Sequence, residues 1–135
     1  MKRLLLCSLV VLLAGTAFAR WVLIPTEKLL TETDLVVVAR LSDVTRTTKK
    51  DVDHGSGILT VSEVLKGPAT PGQKLTLEWA NQQRISRRID HADQSGKTNI
   101  WLLQKTTNGT FTANYPGRVL DLEQREEVRN LLKKR

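Results

Sequence analysis

Apolar side chains fall along this chain in two kinds of pattern. Leu35-Val36-Val37-Val38-Ala39 and Ile100-Trp101-Leu102-Leu103 are apolar at consecutive positions, as expected of strands covered on both faces. Leu75, Leu77 and Trp79 instead alternate with Thr76 and Glu78, the period of a half-buried strand. Ile58 to Leu65 has strand composition and stops at Lys66-Gly67-Pro68, because proline cannot donate to a sheet ladder and glycine permits the turn. Pro71-Gly72 marks a second turn. Asn108-Gly109 is the strongest short hairpin signal, and it predicts a fifth strand over Thr110 to Tyr115, with Phe111, Ala113 and Tyr115 facing one way and Pro116-Gly117 ending it.

Helical patterns stand at both ends of this array. Glu27 to Glu32, with Leu29 and Leu30 inside it, predicts a short helix that Thr26 can cap. Asp121 with Gln124 three positions on has the form of a capping box, followed by Val128, Leu131 and Leu132 at helical spacing. Lys133, Lys134 and Arg135 suit the negative end of that amphipathic helix. Arg46 to Gly57 and Asn81 to Lys97 are polar and read as loops, the second long for a compact domain.

The first residues add a compartment. Lys2 and Arg3, the apolar run Leu4 to Leu13 and the closing Ala17-Phe18-Ala19 have the plan of a secretory signal over residues 1–19, with cleavage after Ala19. The run is too short to span a bilayer, and no later segment approaches the length required. Cys7 follows Leu6 and precedes most of the apolar run, which is not a lipoprotein arrangement. Residues 20–135 remain as one domain without a cysteine, so packing alone must stabilise it and no thiolate can bind metal or act as nucleophile. A periplasmic or secreted bacterial protein is the expected setting. Of the formal charge of +7, Lys2 and Arg3 supply two units, leaving a mature domain of +5. Such an excess attracts polyanions through summed fields, although solubility alone accounts for it.

Asp34-Leu35-Val36-Val37-Val38-Ala39, then Val61-Ser62-Glu63-Val64-Leu65-Lys66-Gly67, then Trp101-Leu102-Leu103, in an array of five short strands bracketed by helices, resemble the netrin-like, or TIMP-like, domain family over Leu29 to Leu132. The resemblance implies a mainly β fold, a five-stranded OB-like barrel, and a place among exported binding modules. Tissue inhibitors of metalloproteinases present an amino-terminal cysteine to the protease zinc. Here Arg20 stands at the predicted mature end, so that mechanism does not carry over.

Two histidines sit in similar settings. Asp51-Val52-Asp53-His54 and Asp90-His91 each follow a basic pair and precede a glycine-containing segment. Were the two segments to meet, His54, His91, Asp53 and Asp90, with Asp51 or Asp93, would offer nitrogen and oxygen ligands to a divalent metal, or an aspartate-oriented imidazole for general-base work. Neither has a metal-motif spacing, and local turn bonding by Asp is the plainer expectation. His54-Gly55-Ser56-Gly57 lacks the strand-to-helix context of a nucleophile elbow, and no phosphate loop or dinucleotide fingerprint occurs. No cofactor is implied.

Lys49, Lys50, Arg84, Arg87, Arg88 and Lys97 form the candidate binding set, in two polar segments that a barrel would bring to one rim. Trp79, Trp101, Phe111 and Tyr115 are assigned to the core, which leaves few rings for base stacking and disfavours nucleic acid. An envelope protein or an acidic envelope polymer is the expected partner. The expected function is non-enzymatic binding by loops 46–57 and 81–97, with a metal-dependent or hydrolytic activity at His54 and His91 as the alternative. Asn108-Gly109-Thr110 matches a glycosylation sequon that the turn already explains.

Overall fold

The computed structural model describes residues 23–82 and 89–134. The expected leader over residues 1–19, the expected cleavage point after Ala19, and Arg84, Arg87 and Arg88 lie outside the described residues.

Helix α1 (Thr26–Thr31) leads into strands β1 (Leu35–Lys49), β2 (Val52–Lys66), β3 (Lys74–Gln82), β4 (Thr98–Lys105), β5 (Phe111–Thr112) and β6 (Val119–Leu120), and helix α2 (Arg125–Lys133) follows. β1 pairs antiparallel with both β2 and β4, β2 with β3, and β4 with β5. β3 meets β5 in parallel at Leu77 and Phe111, which closes a ring of five strands in the order β1-β2-β3-β5-β4. β6 pairs with β4 at Ile100 and Trp101. Among the described residues no helix is long and apolar enough to cross a membrane.

Why the chain closes this way follows from its side-chain periods. Leu35, Val37, Ala39 and Leu41 of β1 pack with Leu59, Leu77, Trp79, Trp101 and Leu103 in a cluster to which the ring strands contribute. Val36, Val38, Ile100 and Leu102 point the other way and are covered by Leu29 and Leu30 of α1 and Val128 of α2. The consecutive apolar runs thus divide between two cores, one inside the ring and one beneath the helices. Helix α2 is also held by charge: Arg125 and Arg129 both pair with Glu63 of β2. Burial works to raise the Glu63 carboxyl, but the bonds and charges of Arg125 and Arg129 outweigh it and hold the group below the usual carboxylate range.

Buried polar groups tie α1 to the sheet. At its end Glu32 N and Thr33 N donate to Leu29 O and Leu30 O, and side chains add to them: Thr33 Oγ1 donates to Leu29 O, and Lys66 Nζ donates to Leu30 O at 2.9 Å and to Thr33 O at 2.6 Å. Buried Arg118 donates to Thr33 Oγ1 and to Leu102 O, satisfying a guanidinium that would otherwise be costly there.

Several sequence expectations are corrected. Thr26 is the first residue of α1, not its cap; Pro25 holds the cap position without a side-chain bond. Asp121 caps a short 3₁₀ turn, Leu122–Gln124, also without a side-chain bond, and α2 begins only at Arg125. The fifth strand is only Phe111–Thr112. Asn108-Gly109 is no two-residue hairpin, because Lys105 pairs with Phe111 and Thr106 bonds Thr110 across a five-residue connection in which only Gly109 has positive φ.

The largest correction concerns Arg46 to Gly57, which is not a loop. β1 and β2 continue through it as a paired arm, from Thr45 opposite Ser56 to Lys49 opposite Val52. Lys50 and Asp51 make the turn with φ of 50° and 63°, the left-handed pair that two-residue hairpins require. A bulge hid the strand from the alternation. Between Ser42 and Thr45, β1 carries one more residue than β2, with Asp43 at φ 52°, and such an insertion moves every later side chain to the opposite face.

Candidate functional site

On the outer side of the ring the arm and β3 form one polar face. Thr45 stands opposite Ser56, and Ser56 opposite Glu78. In the next row Thr47 stands opposite His54, and His54 opposite Ala80. Thr112 and Asn114, following the parallel contact of Leu77 with Phe111, complete a groove of about 520 Å³. Its lining mixes hydroxyl, amide and imidazole groups and the Glu78 carboxylate with the apolar Trp79, Ala80 and Ile89, and among the described residues it includes no lysine or arginine.

Local packing sets this surface. Gly55 faces inward between two groove residues, and a Cβ there would overlap the Trp79 indole. The missing side chain lets that ring lie flat beneath the arm. Glu78 is oriented from β5's side, since Thr110 Oγ1 donates to its Oε2 at 3.0 Å. At the groove's end the Asn81 side chain bonds both backbone groups of Ile89, with Ile89 N to Oδ1 at 2.8 Å, in the manner of a ladder pair. The connection that leaves β3 therefore returns to the same place.

The two histidines take different places. His54 lies on the exposed outer face. His91 lies in a 3₁₀ turn, His91–Gln94, and its ring enters the interior, edge-on to Trp79 and Trp101 with centroids 5.2 Å from each. Its Nε2 is 3.0 Å from Ala113 O. Burial pushes the imidazole below its ordinary value, against smaller opposing effects from the Ala113 carbonyl and the Asp90 charge.

Asp53, His54 and Asp90 do border one shallow cleft of about 200 Å³, together with Arg46. There Arg46 pairs with Asp90, while Thr48 Oγ1 donates to Asp53 at 2.8 Å. No three His, Cys, Asp or Glu side chains among the described residues gather closely enough to hold a metal ion, and the segment 83–88 contains none of these types. No hydrogen bond among the described residues joins His54 to Ser56 or Glu78, so the groove shows no nucleophile and base in contact.

Of the basic set, Lys49 and Lys50 are exposed at the tip of the arm. Lys97 is elsewhere, its carbonyl accepting from Leu41 N just before the bulge. Thr45, Glu78, Thr112 and Asn114 were not singled out as site residues by the sequence, and Thr47 and Ser56 entered only as members of the segment 46–57. The available signal was the outward alternation of Thr76 and Glu78, which marks a solvent face without saying that anything binds there. No protein-family model matches the chain, and no curated protein is significantly similar to it.

Proposed function

We propose that the chain is an exported, non-catalytic binding domain of OB-like, TIMP-like build whose partner docks on the outer groove formed by β1, β2, β3 and β5. The observation that carries this is the groove itself: a concave four-strand face of about 520 Å³, lined by short polar side chains together with Trp79 and Ile89, where the chain extends a paired arm beyond its core. The strand order and the parallel β3 to β5 contact support an OB-type barrel, whose β2–β3 face and adjoining loops are the usual place for a ligand. The leader-like residues 1–19 support export.

The lining favours a protein segment over an acidic polymer. Hydroxyls, two amides, the His54 imidazole and Glu78 form its polar part beside Trp79 and Ile89, whereas the cations Lys49 and Lys50 stand at its end. A partner read mainly through hydrogen bonds, with an acidic end toward the arm tip, fits that distribution.

The test is retention from an envelope extract by the immobilised domain. A protease-sensitive partner retained by the wild type and by the α2 surface variant Glu127→Arg, but lost with Ala80→Arg in the groove, is the expected result. Equal retention by all three would place the partner elsewhere. Loss only with Lys49→Ala and Lys50→Ala together, with a protease-resistant partner, would favour the acidic polymer.

A further inference from the structure

Behind the groove, and resting on its reading as the binding face, one buried imidazole lies between the groove wall and a second cleft. His91 is only 4% exposed. Because a carbonyl can only accept, the Nε2 facing Ala113 O carries the proton and Nδ1 is the bare nitrogen of a neutral ring. Both of its main contacts belong to the groove wall: Trp79 lines the groove, and Ala113 lies between Thr112 and Asn114, which line it too. The ring also borders a separate cleft of about 270 Å³, whose walls include Asp90, Gln94, Asn99 and Asp121.

We propose that His91 is a proton-operated latch: neutral, it holds Trp79 and the Ala113 segment in place, and when protonated it turns into the Asp90 and Asp121 cleft and loosens the groove.

The charges around it give the direction. β3, β4 and β5 face His91 with the uncharged Trp79, Trp101, Asn99 and the Ala113 carbonyl. Its own turn supplies Asp90 and Asp93, the chain after β6 supplies Asp121, and β1 supplies Arg46, paired with Asp90. A proton added at Nδ1 places a full charge on a ring only 4% exposed, whereas the neighbouring cleft that the ring borders offers two carboxylates. There an imidazolium competes with Arg46 for Asp90, and Arg46 belongs to the arm. Release of the ring therefore acts on the groove from both sides. Burial favours the neutral form, so the groove is set at neutral pH and loosens on the acid side of an ordinary histidine titration.

The experiment follows the free, full-length mature domain by NMR through the histidine range, reading the Trp79 indole, the Thr112 and Asn114 amides, and the ring protons of both histidines. These three groove signals are expected to shift with one midpoint, shared with the His91 ring and below the ordinary histidine value. Below it, the opening constant from hydrogen exchange at Asn114, corrected for intrinsic rates, should rise about tenfold per pH unit, the slope of one proton. The Leu102 amide in the other core should stay unmoved. His91→Gln, which keeps a donor for Ala113 O, and His91→Phe, which keeps a ring, should each abolish the transition, while His54→Gln should leave it intact. The latch is refuted if the His91 ring titrates without the groove signals, if their shift survives in His91→Gln, or if Leu102 moves at the same midpoint, which would be global unfolding. All readouts concern the unliganded domain, so failure here leaves the Ala80→Arg retention test, and the groove reading, standing on its own.

Discussion

The two halves of β1 make different structures from one continuous strand. From Leu35 to Leu41, every side chain except Arg40 is buried, and both edges of the strand are paired, with β2 and with β4. From Thr45 to Lys49 every side chain is exposed, and among the described residues β2 supplies the only ladder. The bulge at Ser42 to Thr45 separates them. The first half is specified by the apolar area it removes from water, and its neighbours are fixed by packing. The second half has little to bury, so backbone bonds, a left-handed turn and one glycine fit set its shape. Binding surfaces are commonly drawn from such less firmly held regions of a rigid scaffold.

The sharpest way to break this contrast is to remove a side chain from each half's surroundings. Trp101→Ala empties the centre of the ring and also loses the indole bond to Ala39 O; we expect a loss of about 3–5 kcal/mol in urea unfolding. Thr47→Ala in the arm should fall within about 0.5 kcal/mol of the wild type in the same assay. Comparable costs would mean that the arm is part of the core after all.

Gly55→Val probes the one place where the arm does pack closely. With no space beside the Trp79 indole, it should cost about 1–3 kcal/mol and shift tryptophan emission as the ring is displaced. An unchanged spectrum would show that the arm rises away from Trp79 in solution. In the opposite direction, Asp51→Gly removes the left-handed penalty at the arm's tip and should stabilise the protein by about 1 kcal/mol or less, read from the thermal midpoint. A loss there would mean that the turn is not the one described.

The smallest effect is expected at Glu63. Its pairs with Arg125 and Arg129 are partly exposed, so Glu63→Gln should cost about 0.5 kcal/mol after screening, less at high salt. Since the folded carboxyl titrates below its unfolded range, that contribution is full above the ordinary carboxylate range and fades as the pH falls through the lowered value. Wild type and variant should therefore converge in acid. A difference that persists in acid would assign the effect to packing of α2.

Legibility in the sequence followed the same division. Strands whose apolar side chains stayed in phase, at Leu35 to Ala39, Leu75 to Trp79 and Ile100 to Leu103, could be read directly. The arm could not, because its inward positions are Arg46 and Gly55 rather than apolar residues, and the bulge shifts the phase between Leu41 and Arg46. Lys-Asp carries no hairpin signature, although both residues adopt the left-handed conformation. His91 was read as a loop residue because Asp90, Asp93 and Gln94 surround it. Its burial depends on Trp79 and Trp101, strands away in the chain. The groove's polar residues were visible only as a solvent face.

By itself the sequence determined the apolar strand segments, the two helices and the apolar surfaces that must be covered, since these depend on local period and composition. The tertiary structure decided which strands adjoin, that β3 meets β5, that the polar segment after the bulge is a paired arm, and that one histidine lies inside while the other faces out. Those outcomes rest on contacts between residues distant in sequence, whose closeness is set by the closing of the ring rather than by any neighbour along the chain.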